Sequence, residues 1–183
     1  MDYLEFLKDM RTRRIMDQIT IEKNALIEII EHTRYCASAV NQQILRYAYF
    51  NQDNDLQTIF ESTNLVKRHK IETKNRPSAF IVIGTSSRQK ASTMLGIDIG
   101  ISIQTIREAA KLKGYDSICI MSFNKEVVKG LVKEEFYPEC LIAIGKSSQE
   151  IRIVDSKEDV GYFRDEDNIH TLNKLTLDKL IVK

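Results

Sequence analysis

The sequence predicts an α+β or α/β domain in which helices pack against a central sheet. Continuous apolar runs, which are typical of buried strands, alternate along the chain with stretches of helical periodicity. A chain of 183 residues, 43% of them hydrophobic, is long enough to bury the core of one domain. Because no internal repeat, low-complexity tract or linker interrupts the pattern, we expect a single domain over residues 1–183.

Helices are predicted where apolar residues recur at helical spacing between recognisable end signals. Thr20 is the expected N-cap of the second helix, with Glu22 in its first turn, and Gly114 is placed to end the longest one. The predicted helices cover residues 2–9, a stretch that begins at Ile21, and residues 56–65, 96–112, 125–132 and about 175–180.

Strands are predicted at four apolar or aromatic segments, 47–50, 79–83, 117–121 and 140–145. The second and fourth are continuous apolar runs, as expected of central strands that are buried on both faces. The basic stretch 66–76 and the polar stretch 147–160 are predicted as loops, the latter with at most a brief strand. Propensity does not give the strand order.

Composition excludes several classes of protein. The 27 basic and 26 acidic residues leave a formal charge of +1, which argues against a general nucleic-acid or membrane-surface binder. No apolar run approaches the ~20 residues of a membrane span, and the mixed, acidic N-terminus is unlike a secretory signal. Cys36, Cys119 and Cys140 are widely spaced and odd in number, so we expect buried thiols in a reducing cytoplasm, without disulfides or a metal centre.

Two polar clusters are the strongest functional signal. Arg11-Thr12-Arg13-Arg14 offers guanidinium groups and a hydroxyl, which are suited to clamping a phosphate, although a solvated basic turn explains the cluster equally well. Residues 37–43 offer small side chains that let a flat ligand approach and amides that can bond its edge, although an ordinary helix C-terminus would also explain them. Together the clusters suggest a phosphorylated, planar, heteroaromatic cofactor.

This ordered pair of segments resembles the nitroreductase-like flavoproteins. The family pattern Arg-Ser-x-Arg corresponds to residues 11–14, and Ala-Pro-Ser-Ala-x-Asn-x-Gln-Pro corresponds to residues 36–44, where Ala37 and Ile44 replace the two prolines. The resemblance extends over nearly the whole chain. It implies a nitroreductase-like fold, with a mixed, mostly antiparallel central sheet flanked by helices, in an intertwined homodimer that binds FMN at the subunit interface.

The resemblance also implies which residues hold FMN. Arg11 and Thr12 would bind the phosphate and ribityl chain, and Arg14 would reach the pyrimidine edge of the ring, while Arg13 would point to solvent. Ser38, Ala39 and Asn41 would lie against the FMN that is bound mainly by the other subunit. Ile120, Met121 and Ser122 would place backbone groups beside the flavin N5 atom. Lys174 would add a cation near the phosphate.

Further matches and departures refine this expectation. Asp98-x-Gly100 and Gln104 match the family pattern and are interpreted as structural, with Gly100 permitting close helix packing and Gln104 bonding across the dimer. Met121-Ser122 replaces a family glycine and would narrow access to the ring. Asn173 and Leu175 replace a family proline and arginine, which shifts phosphate binding towards the N-terminal arginines.

The implied activity is that of an FMN-dependent oxidoreductase. NAD(P)H would reduce the flavin, which would pass electrons to a nitroaromatic, quinone or other small electron-poor acceptor in a ping-pong cycle. No nucleophile triad, acid–base pair or GxGxxG motif indicates another chemistry, so no side chain is assigned as catalytic. A flavin-binding or ligand-sensing dimer with little or no turnover is the alternative, and a dimeric interaction protein without flavin is a third possibility.

Overall fold

The computed structural model describes residues 2–167 and 169–182, which form two compact units. The larger unit spans residues 12–147 and contains the central sheet. The smaller unit joins the N-terminal residues up to Arg11 to the C-terminal residues from Ser148 onwards. Among the helices of the described residues, none combines the length and apolar character that crossing a membrane requires.

The sheet of the larger unit contains β1 (Leu45–Phe50), β2 (Ala79–Thr85), β3 (Asp116–Ile120) and β4 (Tyr137–Gly145), in the spatial order β1-β2-β4-β3. Each neighbouring pair is antiparallel, with Ile81 opposite Ile142 in the centre of the sheet. All four predicted strands are therefore confirmed, with ends that differ by up to three residues. The order places β1 and β3 at opposite edges.

Helices cover both faces of this sheet, and each face has its own core because successive strand residues point to opposite sides. Ile81 and Ile83 of β2 pack with α2 (Lys23–Glu31) and α5 (Thr93–Leu112). Phe80 and Val82 pack on the other face. The helices there are α3 (Asp53–Ser62), α4 (Asn64–Lys67) and α6 (Lys125–Gly130).

Helix ends explain where the sequence-based boundaries were wrong. The second helix begins at Lys23, and Thr20 is not its cap, because Ile21 is buried in the core and its carbonyl accepts a hydrogen bond from Asn51 (3.0 Å). The long helix begins earlier than predicted, since the Ser92 hydroxyl accepts from the backbone N–H of Leu95 (3.2 Å) and caps it. Gly114, with φ of 79°, ends that helix as predicted.

The smaller unit contains α1 (Tyr3–Asp9), β5 (Ile151–Ser156), β6 (Tyr162–Arg164), β7 (His170–Leu175) and α7 (Leu177–Leu180). Its strands lie in the order β5-β7-β6, with β5 and β7 parallel. The first and last helices match the predictions. The brief strand allowed within the predicted loop 147–160 is β5, whereas β7 was missed because its polar residues form no apolar run.

Candidate functional site

The arginine loop, residues 12–15, runs beside the edge strand β3. Thr12 forms a parallel bridge with Ser117. The Arg13 guanidinium donates to the Asp116 carboxylate at 2.6 Å, and the two side chains are only 12% and 8% exposed. The expectation that Arg13 points to solvent is therefore wrong. A buried acid at the start of β3 draws this side chain inward, because a buried charge requires a partner.

The turn that follows β3, residues 121–124, is fixed to the helices on one face of the sheet. The Ser122 carbonyl accepts from the backbone N–H of Asn64 (3.1 Å), and the Asn64 side-chain amide donates to the Ser122 hydroxyl. Phe123 forms an isolated antiparallel bridge with Thr63. Ile120 is buried in the core, whereas Met121 is 60% exposed. The turn thus exposes Met121 at the surface, while Asn64 and Thr63 hold the backbone of the next two residues in place.

Positive charge accumulates near this turn. Burial, followed by the charges of Arg14 and Arg68, lowers the pKa of His69 below its usual 6.5. These two cations therefore lie within electrostatic range of the imidazole, which belongs to the basic stretch after α4. The backbone N–H of His69 donates to the Asn64 carbonyl (3.3 Å), and Asn64 contacts Ser122, so His69 and the β3 turn belong to one region. Such a concentration of cations suits an anionic ligand.

The anchored turn, residues 38–43, lies before β1 and is tied to α5. The carboxylate of Asp98 accepts hydrogen bonds from the Ser38 hydroxyl and from the backbone N–H of Ala39, both at 3.1 Å. The Ser38 oxygen in turn accepts from the backbone N–H of Gln43 (2.9 Å). Asp98 is 5% exposed, so this buried acid organises both ends of the turn.

The backbone of the anchored turn is strained. Val40, Asn41 and Gln43 have φ of 53°, 55° and 49°, in the left-handed region that L-residues disfavour by about 1–2 kcal/mol each. Asn tolerates this conformation, but a β-branched valine does so rarely. Val40 is nonetheless 90% exposed. The two prolines of the family pattern are absent, and hydrogen bonds to Asp98 shape the turn instead.

The predicted site residues of the larger unit thus fall into two groups. The arginine loop and the β3 turn lie at the β3 edge, whereas the anchored turn adjoins β1 at the opposite edge. Strands β2 and β4 lie between them, and three strand spacings separate the edges by roughly 14 Å. Within one chain the structure therefore does not bring Ser38, Ala39 and Asn41 together with Thr12, Arg14 and Met121.

The other two predicted residues belong to the smaller unit. Arg11 follows α1, and its guanidinium donates to the carbonyl of Leu7 in that helix. Lys174 is an exposed residue of β7, opposite Asp155 of β5. Each therefore presents a cation from a defined element of the smaller unit.

A cavity of about 370 Å³ lies beside the anchored turn and was not predicted. Its walls are apolar side chains of α2 and β1, including Ile27, Ile30, Tyr47 and Tyr49, and Ser38 and Asp98 contribute polar atoms. The Tyr47 hydroxyl is 2.9 Å from the Ser102 hydroxyl of α5. No sequence signal marked this cavity, because its walls come from residues that separately look like ordinary core.

Comparison with known proteins gives matches at the level of structure. A nitroreductase family protein from Streptococcus pneumoniae TIGR4 superimposes with a TM-score of 0.70 at 16% identity, covering 100% of both chains. An FMN-dependent nitroreductase from Clostridium difficile R20291 gives 0.64 at 20% identity, covering 80% of this chain and 88% of its own. The chain has the nitroreductase fold. A protein from Exiguobacterium sibiricum 255-15, in complex with FMN, gives 0.66 at 19% identity over 81% and 90% of the two chains. No protein-family model and no curated protein sequence matches the chain.

The nitroreductase fold confirms the predicted fold class and corrects one detail of α5. Gly100 was expected to permit close helix packing, but a Cβ built there meets no atom within 4 Å, because this side of α5 is open. Gln104 donates to Glu108 of the same helix (2.9 Å). Sequence reasoning missed Asn64 and His69 as partners of the site residues, and neither carried a signal of its own. Asp98 was named from the matched Asp-x-Gly pattern as a structural residue, but its bonds to Ser38 and Ala39 were not predicted.

Proposed function

We propose that this chain is an FMN-dependent oxidoreductase that takes electrons from NAD(P)H and passes them, in a ping-pong cycle, to nitroaromatic, quinone or similar small electron-poor acceptors. The observation that carries the proposal is that two basic segments meet β3 in a nitroreductase fold: the arginine loop bridges to Ser117, and the stretch containing His69 reaches the β3 turn through Asn64. On this proposal the two units together form one domain over residues 1–183.

The charges of the described residues fit a phosphorylated flavin. A phosphate monoester carries between about 1.5 and 2 negative charges near neutral pH, and arginine side chains match its geometry. Thr12 would bind the phosphate and the ribityl chain. Arg14 would lie at the pyrimidine edge of the ring, where a cation stabilises the charge that accumulates on reduction. Among the described residues, no group of three metal-ligating side chains offers a competing metal site.

The cofactor would supply the electron-transfer chemistry, and the protein would bind and orient it. Ile120, Met121 and Ser122 would present backbone groups to the ring from a turn that Asn64 holds in place. Their backbone N–H groups do not titrate in the physiological range. If these backbone N–H groups set the reactivity of the flavin, no side chain has to act as a catalytic acid or base.

The active species would be a homodimer with shared sites. Separation of the two residue groups at opposite sheet edges supports this, because a second copy can supply Ser38, Ala39 and Asn41 to the β3 edge of the first. The open side of α5 supports it as well: Met94 and Ile97 are 60% and 51% exposed beside Gly100. Adjacent exposed apolar side chains mark interaction surfaces.

The first experiment is the visible absorption spectrum of the purified protein, before and after addition of FMN and gel filtration. Retained flavin that NADH or NADPH bleaches under anaerobic conditions, and that quinone re-oxidises, is the expected result. Arg14→Ala should lose the flavin on gel filtration. Arg152→Ala is the matched control, because it removes an arginine whose partner is Asp165 of the smaller unit. Stoichiometric FMN in Arg14→Ala would refute the assignment of Arg14.

Shared sites can be tested separately with mixed dimers. Arg14→Ala and Asp98→Ala damage opposite halves of the proposed site. In a dimer that combines one chain of each kind, one site carries both changes and the other carries neither. Purification through two different affinity tags should therefore give one tightly bound FMN per mixed dimer, although neither parent dimer retains FMN tightly. Mixed dimers without flavin would contradict sharing between subunits.

A flavin-binding dimer with little turnover is the second candidate, and the exposed Met121 favours it. This side chain replaces the family glycine at the end of β3 and would obstruct the ring face. The candidate predicts flavin that is retained but bleached slowly by both nicotinamides. Met121→Gly should then accelerate bleaching, whereas an unobstructed enzyme would gain nothing from the change.

A further inference from the structure

Asp116 is a buried acid that holds the arginine loop from one side. Its Oδ1 atom accepts from the Arg13 guanidinium (2.6 Å) and from the Lys111 ammonium (3.2 Å). Its Oδ2 atom accepts from the backbone N–H of Ser147 (3.0 Å), just beyond β4. The carboxylate thus joins the arginine loop, α5 and the end of β4 at one point. Charge-assisted bonds of this kind are shorter and stronger than neutral ones.

Ser147 holds the same loop from the other side. Its hydroxyl donates to the carbonyl of Ile15 at 2.6 Å, while its backbone N–H binds Asp116. The contacts close into a ring that passes through Arg13, Asp116, Ser147 and Ile15. Arg14 is the residue between the two held positions, so both of its backbone neighbours are fixed.

The same contacts give the adjacent residues Arg13 and Arg14 different surroundings. Arg13 is paired with Asp116, which it shares with Lys111, and its side chain is only 12% exposed, so its guanidinium is held inside the protein. Arg14 instead lies near His69 and Arg68, where its charge contributes to the cationic region. Without Asp116, the guanidinium of Arg13 would compete with that of Arg14 for an anion. The two guanidinium groups would also repel each other.

We infer that Asp116 and Ser147 form a clamp that positions Arg14 for the flavin ring and withdraws Arg13 from it. This inference rests on the proposed function, since it assigns Arg14 to the cofactor. Asp116 and Ser147 are positioning residues, because they act through the arginine loop. Their replacement changes the ligand's binding and its redox balance even though neither residue touches it.

Ser147→Ala is the decisive variant, because it removes one hydroxyl and leaves the buried charges in place. Loss of the bond to Ile15 should weaken FMN binding about fivefold, the effect of one hydrogen bond. It should also lower the midpoint potential of bound FMN, by about 30 mV for each tenfold preferential loss of affinity for the reduced form. Ser147→Thr, which keeps the hydroxyl, should restore both values. Asp116→Asn should act in the same direction and more strongly.

Thr58→Ala is the control, since it also removes a hydroxyl bonded to a backbone carbonyl, that of Asn54 (2.9 Å), on α3. Circular dichroism melting of each variant reports folding, so a destabilised Asp116→Asn leaves the decision to Ser147→Ala. An FMN affinity and potential equal to wild type in Ser147→Ala would overturn the clamp while leaving the proposed function intact. A wild-type protein that rejects FMN would overturn both.

Discussion

Asp98 holds the anchored turn, and its replacement by alanine separates site geometry from overall stability. The change removes two hydrogen bonds to a charged acceptor, those from Ser38 and from the N–H of Ala39. Bonds to charged groups contribute about 1.5–3 kcal/mol each, or roughly 3–6 kcal/mol for the pair. Against this, Val40 and Gln43 store about 1–2 kcal/mol of strain each in their left-handed conformations, and Asn41 stores less.

The backbone strain offsets much of the stabilisation that the two hydrogen bonds to Asp98 provide. Asp98→Ala should therefore let the turn relax at modest cost to the stability of the whole fold. We expect the free energy of unfolding to fall by only about 1–3 kcal/mol. The loss is limited partly because removing the carboxylate also removes the desolvation cost of a buried charge. For a chain of this size that corresponds to a melting temperature roughly 2–12 °C lower.

FMN binding should suffer far more than stability in this variant. Re-forming the strained turn without Asp98 would cost at least ~3 kcal/mol, so the apparent affinity should fall about a hundredfold or more. Asp98→Asn is the control, because its amide oxygen can still accept from Ala39 and should keep binding within about tenfold. Fluorescence titration with FMN measures both. An Asp98→Ala protein that binds FMN within threefold of wild type would refute this account of the turn.

Three further predictions concern stability, titration and reactivity. Gly84→Ala should cost about 3 kcal/mol or more, because a Cβ there would lie 2.5 Å from a backbone oxygen, and thermal melting measures the loss. His69, followed by NMR titration, should have a pKa below 6.5, and Arg14→Ala should raise it. Since the folded state disfavours His69 protonation, its contribution to stability is complete above pH 6.5 and is lost as pH falls through 6.5 towards the folded-state pKa. The hydrogen bond from Cys140, 3.4 Å away, lowers the pKa of Cys119, with a smaller contribution from Arg107, so Cys140→Ala should slow alkylation of Cys119 by iodoacetamide.

The central strands were predictable because burial on both faces leaves a plain signal. The segments Ala79–Thr85 and Tyr137–Gly145 are nearly continuous apolar runs, and both are almost wholly buried. The strand His170–Leu175 carries no such signal, since backbone pairing with two neighbours holds polar residues such as Asn173 and Lys174 in place. Pairing of that kind depends on segments elsewhere in the chain, which local patterns do not encode.

The candidate site was predictable as a set of residue types but not as an arrangement. Arg13 and Arg14 are chemically identical neighbours, and the residue that distinguishes them is Asp116, 103 positions along the chain. No local pattern links them. The family pattern leaves Arg13 out of the expected flavin contacts, and the exposure to solvent that we expected for it is wrong, because the structure supplies a buried acid.

The anchored turn has a feature that a single chain does not explain. Val40 is a β-branched residue at φ of 53°, and it is 90% exposed, so its strain of about 1–2 kcal/mol has no compensating burial within the chain. Through Ala39 and Asp98 it adjoins α5, which exposes Ile97. In the proposed dimer a second copy would cover both side chains. Complete burial of a valine contributes about 1.5–3 kcal/mol, which is enough to offset the strain. The same contact would bring the neighbouring Asn41 to the β3 edge of the partner subunit. Formation of the proposed dimer would therefore explain both the strained backbone of the turn and the separation of the predicted site residues within one chain.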